Sequence, residues 1–600
     1  MGLSDSKTTA QSGFGSVVEI FRSRAEAQRD SRGYVFLEDG ETEISALTYG
    51  ELARRSRAIA AALQQSVAPS ARALLMYPPG LEFIAAFLGC LYAGVLAVPA
   101  YPPHPARLAR SLPRLRAVVR DAETAVVLCT EAIAAMSPAL LKEAPEMAQA
   151  RILATDRIDP ALADAWKEQT IGPDTLAFLQ YTSGSTAAPK GVMVSHGNLL
   201  HNLAYLNECE GNDVDSCSVS WLPVYHDMGL IEGVLLPAFG GYPAYLMSPM
   251  AFLQGPLRWL KAISRYRATN SGGPNFAYDL CVRKITPEQR RQLDLSCWRV
   301  AYNGSEPIRS ATLASFTKTF AECGFRSESH RPTYGLAEAT LLVSTSPRLT
   351  QPTTRIVDAT ELSNDRISET MQPDRAAATL TLVACGIPAC ETSVAIVHAR
   401  DLVKIPAGQV GEIWVAGPGV AQGYWRRPEE TERVFKARLA DAGEGPFLRT
   451  GDVGFLWRNE LFVTGRIKDT IVIRGRKLYP QDIELTVENT HPAIRPGCLA
   501  AFSVIDATGE RLVVAAEVDN KDAAWAAAVQ AQGLQRVIDD VREAIAENHE
   551  VQTYAVLLLA PGSIPKTSSG KCQRFECRTG FQNGTLELLA HWVQEPELQT

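Results

Sequence analysis

YTSGSTAAPKG, residues 181 to 191, places two glycines and a run of hydroxyl residues ahead of a Pro-Lys-Gly close. Small and hydroxylated residues let a backbone approach an anion closely, and Lys190 adds a positive charge at the far end. The order departs from the common P-loop, G-x-x-x-x-G-K-[ST], because Lys190 falls six residues after Gly184 and is followed by Gly191. Taken alone, the stretch reads equally as a phosphate-holding loop or as a solvated turn before a helix. The rest of the chain decides between them.

A length of 600 residues predicts about four domain-sized units. With 21% charged and 46% hydrophobic residues, the composition is that of a soluble globular protein. A net charge of -7 argues against nucleic acid as the main partner. The local basic run Arg107, Arg110, Arg114, Arg116 and Arg120 has near-helical spacing and reads as the wet side of an amphipathic helix. The 12 cysteines form no C-x-x-C pair and no His/Cys ligand cluster, so neither a zinc module nor a thioredoxin-like redox site is indicated. Scattered thiols without a signal peptide predict a reducing cytoplasm. The uncharged run from Phe83 to Ala100 is long enough to span a membrane, yet it contains Gly89, Gly94 and Pro99. A buried helix turning into a strand is the expectation, with no membrane span.

Apolar runs such as AVVLC (125 to 129) and LVVAAEV (512 to 518) alternate with helical stretches such as YGELARRSRAIAAALQQS (49 to 66), which predicts an α/β architecture. From 411 to 484 the texture shifts to short strands and turns, and GRIKD (465 to 469) suits a hinge or domain boundary. The expected division is a large N-terminal unit over 1-465 and a small α+β unit over 466-600.

Five further segments bear on the opening stretch: WLPVYHDMGL (221 to 230), YNGSEPI (302 to 308), YGLAEAT (334 to 340), FLRTGDVG (447 to 454) with GRIKD, and IPKTSSGKCQR (564 to 574). Their order and spacing resemble the adenylate-forming superfamily of acyl-CoA synthetases, peptide-synthetase adenylation domains and luciferases, over about residues 14 to 580. The resemblance implies a large multi-subdomain adenylate-forming domain, a small mobile C-terminal domain, and ATP with Mg2+ as cofactors. In such enzymes a carboxylate attacks the α-phosphate of ATP, so charge neutralisation and positioning dominate catalysis.

By resemblance, Thr182, Ser183, Gly184, Ser185, Thr186 and Lys190 hold the β- and γ-phosphates, and Glu338 is the magnesium ligand. Tyr334, with Gly335, stacks on adenine, while Gly304, Ser305, Glu306 and Pro307 line the base. Asp452 accepts from the ribose hydroxyls, and Arg466 reaches the ribose or phosphate side. Lys571 is the catalytic lysine, bridging substrate carboxylate and α-phosphate. Its neighbours Lys566 and Arg574 are expected to face solvent, and Lys468 occupies the hinge.

Between Thr340 and Cys385 lie 44 residues, 341 to 384, a longer connection than acyl-CoA synthetases carry. An extra segment within about 345-380, with HDMGLIEG and RGRKLYPQDIE, resembles fatty acyl-AMP ligases. Members pass a fatty acyl group to the phosphopantetheine thiol of an acyl carrier protein, and the insertion is expected to pack on the large domain and disfavour coenzyme A. No G-x-D-S-[LI] attachment motif is present, so the expected carrier is a separate protein or domain. His226, Asp227, Met228, Gly229, Gly273 and Phe276 are candidates for the acyl pocket, the small residues leaving room for an aliphatic chain. Core packing gives the same composition. A long-chain acyl-CoA synthetase and a catalytically silent nucleotide- or lipid-binding protein are the alternatives.

Overall fold

The structure, a computed structural model, describes residues 13–101, 108–182, 189–368, 379–473, 476–506, 509–519, 523–567 and 570–594. Helix Glu82–Ala93 is buried from Phe83 onward, Gly94 ends it in the left-handed region at φ 66°, and strand Leu96–Ala100 follows. This is the expected helix-to-strand turn. Among the described residues no helix is long and apolar enough to cross a membrane. Helix Tyr49–Gln64 starts at a capping box formed by Thr48 and Glu51, which satisfies orphan amides of the first turn. Helix Leu108–Ala122 buries Leu112, Leu115, Val118 and Val119 and sends Arg116 and Arg120 to Glu146 at its wet side.

Two mainly parallel sheets carry the larger part of the chain. One has nine strands, whose parallel middle runs through His330–Gly335, Val300–Asn303, Asn270–Gly272, Ser218–Ser220, Ala244–Met247 and Arg32–Leu37, with antiparallel strands at both edges. The other has six, ending in the antiparallel hairpin Leu176–Thr182 and Lys190–Ser195. Strand ends and βα loops of such sheets are where open α/β folds bind ligands. A third, antiparallel sheet pairs Ser393–Val397, Gly411–Ala416, Leu448–Trp457 and Glu460–Arg466.

The large core extends from Val17 to Leu461, and a separate core begins at Ile471. Between them the chain turns at residues 467 to 469, where Ile467 donates to Gly451 and Asp469 to Arg466; Lys468 is exposed there. The smaller part has a mixed sheet of Ile494–Asp506, Gly509–Val518, Thr553–Leu559 and Leu588–Val593, covered by helices including Pro480–Glu488 and Arg574–Gln582. The chain thus has the expected mixed α/β fold with a large N-terminal and a smaller C-terminal part.

Within 345-380 the chain forms strand Thr354–Asp358 and helix Ala359–Ser363, and Thr354–Asp358 pairs antiparallel with Thr379–Val383; residues 369–378 lie outside the described residues. Val357 and Leu362 pack with Phe455 and Phe462 of the third sheet and also with Tyr479. Asp365 pairs with Lys477. The insertion packs on the third sheet, and through Tyr479 and Lys477 it also touches the segment after the turn.

Candidate active site

One continuous cleft of about 3210 Å³ runs between the two parts, several times larger than a drug-sized pocket. Its walls come from the ends of the parallel strands, the third sheet and the loop that carries Lys571.

At one end, Tyr334 and Asp452 face each other. The Tyr334 hydroxyl donates to Asp452 Oδ2 at 2.8 Å, and the Arg466 guanidinium forms an ion pair with Asp452, Nε to Oδ1 at 2.8 Å. Asp452 is 4% exposed, so it spends both oxygens on these partners, whereas the Arg466 side chain stays 55% exposed. Burial pushes the Tyr334 hydroxyl well above its usual range, and the Asp452 charge adds to that. Strand pairing sets this geometry, because Asp452 and Arg466 lie opposite each other in register.

Glu338 sits on a short turn after Tyr334, where its Oε1 accepts from the Tyr424 hydroxyl at 2.8 Å. Burial raises its carboxyl above the ordinary glutamate range. Lys190, at the start of strand Lys190–Ser195, pairs with Glu430, and its ammonium lies 5.0 Å from the centre of the Tyr424 ring. Thr182 ends the partner strand, opposite Lys190 in register. Ser183, Gly184, Ser185 and Thr186 lie outside the described residues. Among the described residues no group of three or more His, Cys, Asp or Glu forms a metal-holding cluster.

The Gly304 to Pro307 segment turns back at Ser305, whose φ of 71° lies in the left-handed region. The turn aims the Glu306 side chain at the backbone amide of Phe276, which donates to its Oε1 at 2.8 Å. The nucleotide-assigned segment therefore meets the acyl-assigned one. Lys571 enters this meeting place from the smaller part. Burial lowers the pKa of its ammonium, and the carboxylates of Glu306 and Asp227 oppose that effect. Asp227 pairs with His226 Nδ1 at 2.5 Å. Burial works to raise the Asp227 carboxyl, but His226, the Met228 amide and Lys571 outweigh burial and hold it below the usual range. Gly570, at φ +88°, approaches the Phe276 ring, where an added Cβ would lie 3.3 Å from Cζ.

His226, Asp227 and Phe276 line the cleft, while Met228, Gly229 and Gly273 stand behind its wall. The two glycines do not open space for a chain. An added Cβ would lie 2.1 Å from the Pro223 carbonyl at Gly229 and 2.6 Å from the Trp221 ring at Gly273, so both serve close packing. The apolar wall includes Met247, Met250 and Leu253, and the last two are exposed. Sequence reading missed these, since nothing but composition marks them. Arg574 corrects a second expectation: its guanidinium does not face solvent but binds Glu484 through two contacts of 2.7 Å and Asp469 at 3.4 Å. A half-buried guanidinium flanked by two carboxylates is held in place rather than solvated. Lys566 is exposed, with its ammonium on the Gly497 carbonyl at 2.8 Å.

Residues 21–425 match the family described as AMP-binding enzyme, and residues 468–591 match the Disco-interacting protein 2-like AMP domain. The chain is 47% identical over 575 residues, 96% of each chain, to the medium-chain-fatty-acid–[acyl-carrier-protein] ligase JamA of Moorena producens. It is 36% identical over 617 residues, 95% of each, to the long-chain-fatty-acid–AMP ligase FadD32 of Mycolicibacterium smegmatis. Among solved structures, a fatty acyl-adenylate ligase from Legionella pneumophila in complex with acyl adenylate and pyrophosphate superposes with a TM-score of 0.74 at 39% identity, covering 98% of this chain and 99% of that one.

Proposed function

The chain belongs to the AMP-binding enzymes, and to the fatty acyl-AMP ligases among them, and from that premise we propose that it activates a fatty acid with ATP to fatty acyl-AMP and pyrophosphate, then passes the acyl group to a carrier thiol. The observation that carries this reading is that Lys571, from the smaller part, lines the same cleft as Tyr334, Asp452, Arg466, His226, Asp227 and Glu306.

Lys571 neutralises the two anions as they meet: its ammonium draws the fatty carboxylate oxygen toward the α-phosphorus, then stabilises charge on the phosphoryl oxygens as pyrophosphate leaves. Asp452 and Arg466 hold the ribose, Tyr334 the base, and Thr182 and Lys190 the outer phosphates. His226, Asp227 and Phe276 stand at the carboxylate end of the acyl site, and the wall at Met250 and Leu253 takes its tail. Glu338 fits a nucleotide-borne Mg2+, which needs one or two carboxylates while phosphates and water supply the remaining oxygens. When bound, that ion supplies charge neutralisation on the departing pyrophosphate.

The division at 465 and 466, with Lys468 as the hinge, belongs to this reading, and the break between the two cores supports it. Reorientation about Lys468 admits the carrier thiol after adenylation. A Lys468→Pro variant that lost both half-reactions equally would contradict the hinge. The carrier is a separate phosphopantetheinylated protein or domain, as the printed activity of JamA supports. The insertion disfavours the arrangement that admits coenzyme A, which its contacts with Tyr479 and Lys477 support. All 12 cysteines are free, in keeping with a cytoplasmic setting. The direct test of adenylation is release of pyrophosphate from ATP that depends on added dodecanoic acid; release that ignores the fatty acid would count against the reading.

A further inference from the structure

Tyr424 belongs to none of the motifs that marked the site, yet it touches two of the side chains those motifs single out. Its hydroxyl donates to Glu338 Oε1 at 2.8 Å, and its ring face lies 5.0 Å from the Lys190 ammonium. The residue is 7% exposed and its ring packs edge-on against Phe435 at 5.0 Å, so it has little freedom to turn.

The backbone around it explains the placement. Residues 422 to 425 run antiparallel to strand Lys190–Ser195: Gln422 donates to Met193, Met193 to Gly423 at 2.9 Å, and Trp425 to Gly191 at 2.8 Å. One residue earlier, Ala421 donates to the Glu338 carbonyl at 2.9 Å, and the Thr340 hydroxyl donates to the Gly419 carbonyl at 2.7 Å. A single short strap is therefore bonded at one end to the turn that carries Glu338 and at the other to the strand that carries Lys190. Tyr424 projects from the strap between the two.

We propose that Tyr424 is a positioning residue that sets the spacing between Lys190 and Glu338, its hydroxyl fixing the carboxylate and its ring face carrying the ammonium. The inference rests on the reading in which Lys190 holds the outer phosphates and Glu338 the divalent cation. It goes beyond that reading in making the two groups one unit: a tyrosine hydroxyl donated to a metal-side carboxylate orients it and leaves its second oxygen for the ion, and the ring face adds a cation–π contact to the Glu430 pairing that also holds the ammonium.

The test compares Tyr424→Phe, Tyr424→Leu, Glu338→Gln and the Tyr424→Phe/Glu338→Gln double variant in the full chain. Mn2+ binding in the presence of α,β-methylene ATP is followed by electron paramagnetic resonance, alongside KM for ATP and for dodecanoate and the melting temperature. Tyr424→Phe should weaken Mn2+ binding about ten-fold, leave the KM for dodecanoate within about two-fold and melt near wild type. Tyr424→Leu, which also removes the ring face, should in addition raise the KM for ATP a few-fold. In the Glu338→Gln background Tyr424→Phe should add nothing, a non-additivity that a purely structural role would not produce. Normal Mn2+ binding by Tyr424→Phe beside impaired binding by Glu338→Gln would overturn the coupling while sparing the metal assignment, and so would losses that multiply in the double variant. Normal Mn2+ binding by Glu338→Gln would overturn the metal assignment and the coupling with it.

Discussion

At the end of the cleft assigned to the nucleotide, polar side chains hold one another: Tyr334 and Arg466 on Asp452, Tyr424 on Glu338, Glu430 on Lys190. At the end assigned to the acyl chain, aromatic rings do the holding, with Trp221 stacked on Phe252 at 4.1 Å and edge-on to Phe276 at 6.0 Å. The first end fixes atoms by directed bonds, so one lost oxygen should be felt by one ligand group. The second fixes a shape by packing, so a change should spread over the wall and into stability. Lys571 stands where the two meet, and it arrives from the other part of the chain.

The largest effect should come from that junction. Lys571→Ala should slow pyrophosphate release about 10²-fold or more, with an unchanged melting profile; near-normal release would remove the lysine from the chemistry. Next is the nucleotide end. Asp452→Asn removes a charged partner from Tyr334 and Arg466, so the KM for ATP should rise about 10- to 100-fold while that for dodecanoate stays put. Equal changes in both constants would blur the contrast between the ends.

Gly273→Ala probes the packed end. Its Cβ would lie 2.6 Å from the Trp221 ring, and overpacking of this kind costs about 1–3 kcal/mol. Stability should fall and the KM for fatty acid shift a few-fold, with the KM for ATP unmoved. A neutral result in both assays would mean the Trp221 stack yields freely.

The smallest effect concerns Asp482, on helix Pro480–Glu488. Burial lifts its carboxyl to about 7, Arg309 pulls it down, and Glu484 pushes it up. The folded chain therefore keeps a proton that an unfolded aspartate gives up near pH 4. Its favourable contribution is intact below about pH 4 and is lost as pH rises through about 7. Asp482→Asn should flatten the fall in melting temperature between about pH 5 and pH 8; a parallel profile would contradict the shift.

The residues assigned to the nucleotide could be picked out in sequence because the proposed chemistry demands particular atoms. Glu338, Asp452, Arg466 and Lys571 stand at motif positions, and all four line one cleft in the folded chain. The acyl end was half legible. His226, Asp227 and Phe276 line the cleft, but Gly229 and Gly273 turned out to be packing positions, since a small residue records equally an open space or a close neighbour. Arg574 was misread because its partners, Glu484 and Asp469, lie 90 and 105 residues upstream. Tyr424 was missed for the same reason: it meets Glu338 across 86 residues, through a strap that periodicity does not reveal. The alternating α/β order and the helix-to-strand turn at Gly94 came through because local pattern and tertiary burial agree there.

The most direct test of the whole account is product identity. The protein is incubated with ATP, Mg2+ and dodecanoic acid, then offered either coenzyme A or a phosphopantetheinylated carrier protein, and the products are read by mass spectrometry. The account predicts acyl-AMP that accumulates beside coenzyme A and is consumed by the carrier. Efficient formation of acyl-CoA would contradict it.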